Sequence, residues 1–578
     1  MKKIAKFING SWPLVIIAPL LMIMEVICDL MQPTLMAEIV DVGIASGDLS
    51  KVWATGGRML AVALLGTLGG AGCTITSAKA SLDSAARLRQ AMFDKIQTFS
   101  FKEIDKLQTS SLITRLTNDV TILQQTLRTI LCMMVRAPFS CIGGLVMAII
   151  ISPKLSLIFV VAIPIMALSA TFILPRVFPM FAKMQEKIDR VNTVMRENLL
   201  GVRVVKAFVG QEREKRRFDF ANRDLMEWAM SAMKKMMLMM PLITAVMNLS
   251  VVALLWYGGV LVMAGDLEVG KIMAFMTYLM QVLSSLMMAG MMMMQFSRAK
   301  VAMDRCSEVL DTESSIVDPD QANTPSDFTV EFDHVNFSYN DTDPEPVLKD
   351  ITFTAKPGQR VGIIGNTGSG KSTLVSLIPR LYDVTDGAVR IGGVDVRDMD
   401  QHELRKHVGV VLQEPFLFSR TIAENIAIAK SGAEQDAIAQ AAKDACLDKS
   451  IGEFKDGYET IVGERGVTLS GGQKQRTAIA RTLLTAAPIM VFDDALSAVD
   501  AKTDEAIRTR LREAAGDATL ILIAHRVSTL MQADEIIVLE NGKIIERGDH
   551  DALMKKNGVY ARVAKMQSAQ GAGEEEGA

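Results

Sequence analysis

Residues 365–373 read GNTGSGKST, a glycine-rich run closed by a lysine and two hydroxyls. A run of this kind, set between a strand and a helix, wraps backbone N–H groups around phosphates. Residues 360–364 (RVGII) supply the strand signal, and a helix is expected to open at Lys371. Gly365, Gly368 and Gly370 let the backbone close, with Asn366, Thr367 and Ser369 between them. Lys371 is placed to reach the β- and γ-phosphates of ATP, and Ser372, ahead of Thr373, to ligate Mg²⁺. Residues 489–492 form a second apolar strand ending in Asp493, a carboxylate that would hold Mg²⁺ through water, and Asp494 follows it. Between these segments lies LSGGQ, residues 469–473: Ser470, Gly471, Gly472 and Gln473 at an expected helix start, where free N–H groups favour an anion. The chemistry expected of such a set is binding and hydrolysis of ATP with Mg²⁺.

Those groups need a scaffold that presents strand ends. Residues 330–335 (VEFDHV) alternate apolar and polar, as strands do. Strand and helix patterns then alternate through 550, which predicts an α/β domain over 328–566. Residues 304–327 read as a polar linker, and 567–578 (ending GAGEEEGA) as a short, disordered acidic tail.

The chain is 578 residues long, so several domains are expected, and 49% of it is apolar with the apolar residues concentrated before about residue 300. Mean hydropathy is +0.26. Net charge is −3, which implies no nucleic-acid partner. Cys28, Cys73, Cys132, Cys141, Cys306 and Cys446 are scattered without ligand-like spacing and read as reduced packing residues. Residues 1–303 carry six apolar stretches, at about 13–37, 58–80, 129–151, 155–175, 236–263 and 270–296. Each reaches the ~20 residues that a membrane-crossing helix needs. The bilayer is therefore an expected partner, and no cleavable leader is expected. Segments 81–128 and 176–235 are long, charged and rich in Lys and Arg, whereas the other connections are short or acidic. The positive-inside rule puts those two segments, the N-terminus and everything after 297 in the cytoplasm. Their helical patterning reads as spans continuing into water, with short cross-helices near 99–107 and 200–208 at the tips.

Glu25 and Asp29 lie four residues apart in the first stretch, on one helix face. Carboxylates at membrane depth face a wet cavity or a partner. They are expected either to help bind a cationic or polar substrate or to pair with Arg136. The sixth stretch carries Met287, Met288, Met291, Met292, Met293 and Met294. Methionine suits surfaces that accept varied ligands, which makes Met287 and Met291 candidates for a substrate cavity, and it also packs ordinary helices.

Taken together, residues 1–570 resemble ABC exporter half-transporters: a six-helix transmembrane domain with long cytoplasmic extensions, then an α/β P-loop nucleotide-binding domain. The resemblance rests on GNTGSGKST, LSGGQ and the strand ending in Asp493. It implies that Tyr339 stacks on adenine, and that Gln413 contacts Mg²⁺ and the membrane domain. It implies that residues 462–466 meet the cross-helices, that Asp500 belongs to the loop facing the other subunit, and that His525 contacts the γ-phosphate. It further implies that the sequence at 469–473 is offered to a nucleotide held by a second half-transporter. One position departs from the family pattern: Asp494 stands where a glutamate serves as base or orients water. Aspartate is a methylene shorter, so its carboxylate falls about 1.5 Å short. A misplacement of that order costs roughly a hundredfold in rate. The chain resembles the degenerate-site subunit of bacterial heterodimeric multidrug exporters, whose partner carries the competent glutamate.

The expected activity is ATP-driven, outward movement of amphipathic drug-like compounds or lipids by alternating access, with low hydrolysis at the chain's own site. The expected place is the bacterial cytoplasmic membrane. Two other readings stand beside it: a homodimeric exporter of a dedicated lipid or peptide, and a non-transporting ATP-gated channel or sensor. Only about a dozen residues precede the first stretch, so no leading protease domain for peptide processing is expected.

Overall fold

The computed structural model describes residues 6–340, 344–497, 499 and 501–575, without a few side chains among them, Met291 and Arg465 included. The described chain divides into two compact units: Met1–Gln97 with Ser110–Thr312, and Thr98–Thr109 with Glu313–Ala578.

The first unit is helical. Its principal helices are α1 (Trp12–Glu38) and α2 (Leu49–Gln97), then α4 (Val120–Ile151), α5 (Pro153–Leu200), α6 (Val202–Ala207), α7 (Gln211–Met237), α8 (Met239–Met263) and α9 (Val269–Asp311). The short helix α3 (Phe101–Leu107) belongs to the second unit. Six helices among the described residues are long and apolar enough to cross a membrane. At ~1.5 Å per residue, the 49 residues of α2 and the 48 of α5 extend well past a ~30 Å hydrocarbon layer. The two short helices α3 and α6 sit within the two basic segments. Helix α9 runs on to Asp311, through the start of the expected linker, because Cys306 and Val309 keep it buried on one face.

Charged groups at span depth are paired. Arg136 of α4 binds Glu25 of α1 through Nη1 at 2.7 Å and Asp29 through Nη2 at 3.0 Å. Tyr278 of α9 is fully buried, donates to the Leu30 carbonyl, and lies 2.7 Å from the Thr34 hydroxyl. Cys73 and Cys132, far apart in sequence, approach to 3.5 Å between sulfurs across α2 and α4.

The second unit is α/β. Strands β1 (Val330–Phe337), β2 (Leu348–Ala355), β4 (Asp386–Ile391) and β5 (Val394–Asp395) form an antiparallel sheet in the order β2-β1-β4-β5. Strands β3 (Arg360–Gly365), β6 (Val408–Val411), β7 (Ile489–Asp493), β8 (Thr519–Ile523), β9 (Glu535–Glu540) and β10 (Lys543–Gly548) form the order β10-β9-β3-β8-β7-β6. All neighbours in this second sheet are parallel except β10 on β9. The continuous apolar run of β7, buried along its whole length, is what a central parallel strand requires. The alternating run of β1 instead buries one face, where Phe332 stacks on Phe353 at 4.6 Å between centroids.

The last helix corrects an expectation. Residues 567–575 are not a disordered tail but the end of helix α12 (Val559–Glu575); 576–578 lie outside the described residues. Tyr560 and Ala564 anchor the helix in an apolar cluster. Gln567 then gives it a polar hold: its Nε2 donates to the His525 carbonyl and its Oε1 accepts the Val527 N–H, both at 2.8 Å. Gln567→Ala removes both bonds at a net ~1 kcal/mol each. The Val527 amide should then exchange with solvent about tenfold faster or more in hydrogen-exchange measurements. An unchanged rate would mean that the loop keeps its shape without the clasp.

Candidate functional site

The phosphate loop hangs between β3 and the helix α10 (Lys371–Ser376), placed in chain order ahead of α11 (Gly471–Thr485) and α12. Two glycines are required by contact or conformation. A Cβ on Gly365 would come 2.1 Å from the Leu539 carbonyl oxygen, and Gly370 takes φ +100°. Lys371 Nζ donates to the carbonyls of Gly365 and Asn366, each at 2.9 Å, so the ammonium is folded against its own loop. Burial pushes the Lys371 amine down from its ordinary value, against the pull of Asp493 and Asp494. Ser369 Oγ is buried and makes no hydrogen bond. Asn366, Thr367, Gly368 and Ser372 are exposed, and Thr373 is buried.

Asp493 ends β7, paired in register with Ile523 of β8, and is 4% exposed. Burial pushes its carboxyl above the usual carboxylate range, opposed by a hydrogen bond from Ser372. Two adjacent oxygens, one hydroxyl and one carboxylate, are hard donors that fit Mg²⁺. Asp494 is 9% exposed and sits at φ 47°, a left-handed conformation. Its N–H donates to the Ile523 carbonyl at 3.0 Å, and its carbonyl accepts the Ser497 hydroxyl at 2.9 Å. The backbone that carries the Asp494 carboxylate is therefore pinned on both sides.

Gln413 lies exposed two residues beyond β6, and His525 exposed two residues beyond β8. Asp494, Ser497, His525 and Arg526 line one cavity of about 130 Å³. Asp500 lies outside the described residues, as does the side chain of Arg465 in the 462–466 segment.

Ser470 caps α11. Its Oγ accepts the Gln473 N–H at 3.3 Å, and Gln473 Oε1 accepts the Ser470 N–H at 2.9 Å. This reciprocal box leaves the N–H groups of Gly471 and Gly472 at the helix start, and Ser470 and Gly471 are exposed. The turn is shaped to grip an anion brought to it from outside.

A chain of contacts that the sequence did not disclose joins α3 to the phosphate loop. Tyr339 Oη lies 2.9 Å from Thr373 Oγ1. The Tyr339 ring meets the Tyr382 ring edge-on at 5.3 Å. Tyr382 Oη donates to Asp105 of α3 at 2.6 Å, and Phe101 of α3 packs 6.0 Å from the same ring. Burial, reinforced by the Asp105 carboxylate, pushes the Tyr382 hydroxyl up, so it stays protonated and donates. At the start of α3, burial pushes Glu103 up, but hydrogen bonds from Ser100 and Ser315 outweigh it and hold the carboxyl below its ordinary value.

The membrane unit holds a cavity of about 820 Å³ bordered by Met22, Arg128, Met133, Arg136, Gln281 and Met288, among others. Glu25, Asp29 and Met287 do not line it. Arg136 draws both carboxylates to itself, and Met287 packs into the apolar cluster of the spans. Adjacent helix positions point about 100° apart, so the cavity receives Met288 rather than Met287. The Met291 side chain lies outside the described residues.

Family comparison agrees with the two-unit division. Residues 15–286 match the ABC transporter transmembrane region and residues 348–497 the ABC transporter domain. The uncharacterized ABC transporter ATP-binding protein YfiB of Bacillus subtilis (strain 168) is 39% identical over 572 residues, 98% of each chain. A fatty acid ABC transporter ATP-binding/permease protein of Mycobacterium bovis is 34% identical over 479 residues, 83% of this chain and 76% of that one. A solved structure of a bacterial Atm1-family ABC exporter with ATP bound superposes with a TM-score of 0.77 at 26% identity, covering 97% of this chain and 98% of the other. The chain belongs to the ABC transporter family, as an exporter half-transporter whose ATPase domain couples ATP hydrolysis to transport and which works in a dimer.

Proposed function

We propose that this chain is the weakly hydrolysing half of a two-subunit exporter that moves amphipathic compounds or lipids out of the bacterial cytoplasmic membrane. Its ATPase unit and N-terminus face the cytoplasm. The observation that carries the reading is Asp494. Its backbone is tied to Ile523 and Ser497, so the strand end cannot slide forward to make up the ~1.5 Å that a missing methylene costs.

The remaining parts are in place for binding. Residues 365–373 cradle the phosphates of ATP, Lys371 leaves its loop carbonyls to meet them, and Tyr339 turns from Thr373 to the adenine. Ser372, Asp493 and Gln413 would hold Mg²⁺, which when bound neutralises the phosphate charge that develops in hydrolysis. His525 and Asp500 belong to the same expected set. Ser470, Gly471 and Gly472 serve the second subunit's ATP, where hydrolysis is fast. The apolar tip around α6, with Leu200, Phe208 and Val209 each at least 80% exposed, calls for a covering surface, which a second subunit supplies.

Closure of the two ATPase domains passes to the spans through α3, along Asp105, Tyr382, Tyr339 and Thr373. The spans then expose the cavity outward, as ligand-driven switches do by differential affinity. The similarity to a fatty acid transporter favours a lipid-like substrate.

Asp494→Glu should raise ATP hydrolysis of the purified dimer at this site by about tenfold to a hundredfold, read as single-site turnover with the second subunit's base removed. No gain would place the limit elsewhere than in side-chain length. Strong substrate-stimulated hydrolysis by the chain alone would establish a homodimer instead. Tyr382→Phe removes a hydrogen bond to a carboxylate worth roughly 1.5–3 kcal/mol. It should leave ATP affinity within about twofold while lowering the amount transported per ATP in proteoliposomes several-fold, a split that a generally damaged fold would not give. Because burial raises the Asp493 carboxyl, protons compete for it at higher pH than usual. Mg²⁺ affinity should therefore fall as pH is lowered, beginning at higher pH than an ordinary carboxylate would give, with net proton release on binding at the acid end, measured by calorimetry in two buffers.

A further inference from the structure

The membrane cavity carries a charge preference that its sequence neighbourhood conceals. Its only charged lining residues among those described are two cations, Arg128 and Arg136 of α4, and no carboxylate borders it. Arg136 is committed, with one guanidinium nitrogen on Glu25 and another on Asp29. Glu25 is tucked against α2: a Cβ on Gly70 would come 2.7 Å from its Oε2. Arg128 has no hydrogen bond or ion pair with any described residue and is exposed toward the cavity space. Beside it stand Gln125, Thr129 and Gln295, with Gln295 Nε2 donating to Thr129 Oγ1 at 3.2 Å. Met22, Met133 and Met288 give the same cavity an apolar, pliable wall.

A cation entering this space would have to take the carboxylates from Arg136. An anion finds a free guanidinium, whose planar fork matches carboxylate and phosphate oxygens and is weakly hydrated. We infer that the cavity takes an amphiphilic anion, its carboxylate or phosphate head on Arg128 and its hydrocarbon along Met22, Met133 and Met288. The inference rests on the export reading and narrows its substrate class. Arg128 lies at the end of α4 that leads to the basic cytoplasmic extension, so the head group enters from the cytoplasmic side and the chain follows.

The test uses the complete transporter in proteoliposomes of neutral lipid, with oleate, oleylamine and phosphatidylglycerol as probes and two readouts, probe binding and ATP-dependent movement. Oleate should bind and be moved. Arg128→Ala should raise its half-saturating concentration about tenfold or more, Arg128→Glu should abolish its binding, and Arg128→Lys should restore part of it. Size-exclusion profiles and nucleotide binding establish that each variant is assembled. If phosphatidylglycerol, and not oleate, responds to Arg128 in this way, the anion is a lipid headgroup, and the charge preference stands. Oleylamine bound more tightly than either anion, or oleate binding indifferent to Arg128→Ala, overturns the inference. Absence of ATP-dependent movement of every probe, with anion binding still dependent on Arg128, sinks the export reading and leaves the binding site standing.

Discussion

The nucleotide site depends on one constraint: parallel strands of a sheet all end at the same edge. Gly365 closes β3, Gln413 follows β6, Asp493 closes β7 and His525 follows β8, and these four strands share one sheet with common polarity. No side chain has to reach far, because the ladder places each loop start beside the next. The same polarity puts unpaired backbone groups at that edge, where a glycine-rich loop can turn them toward phosphates. A one-residue slip of β7 against β8 would put Asp494 in place of Asp493 opposite Ile523. The buried, apolar character of β3, β7 and β8 holds that register.

Around this edge, the supports are unequal. Asp493 is backed by Ser372 and Lys371, all within the loop-to-helix turn. Asp494 is fixed through its own backbone. His525 is held through its carbonyl by a residue of the last helix, while its imidazole stays exposed. This gradation leaves the Asp493 side of the strand edge rigid and the His525 imidazole free to turn. The membrane unit follows another logic. There two carboxylates share one arginine inside the bundle, and a second arginine is left to the cavity.

What the sequence revealed and what it hid follow from distance along the chain. The loop at 365–373, the box at 470–473 and the acid pair at 493–494 are contiguous and carry their own spacing, so they were legible. The six spans were legible by length and composition. Tyr382 with Asp105 spans 277 positions, and Gln567 with His525 spans 42, and neither pair has a local pattern. The acidic run at 574–576 led the tail to be read as disordered from 567, when the apolar face of Tyr560 and Ala564 had already committed the helix. Met287 and Met288 differ by one position; the polar residues Gln281, Ser284 and Ser285, at seven, four and three positions before Met288, mark the cavity face, a phase signal that the methionine run itself obscured. Arg128 hid for the opposite reason: an arginine in a basic segment reads as a topology signal.

The arginine bridge between α1 and α4 has a consequence for how the chain is made. Arg136 follows Glu25 by 111 positions and Asp29 by 107. At ribosomal rates, that gap corresponds to roughly 5 to 20 seconds in which the first nascent segment has no counter-ion. A lone carboxylate at the centre of a bilayer costs about 2.5–3.5 kcal/mol on insertion scales, and there are two. The first segment therefore bears that cost alone until the third segment brings Arg136 beside it.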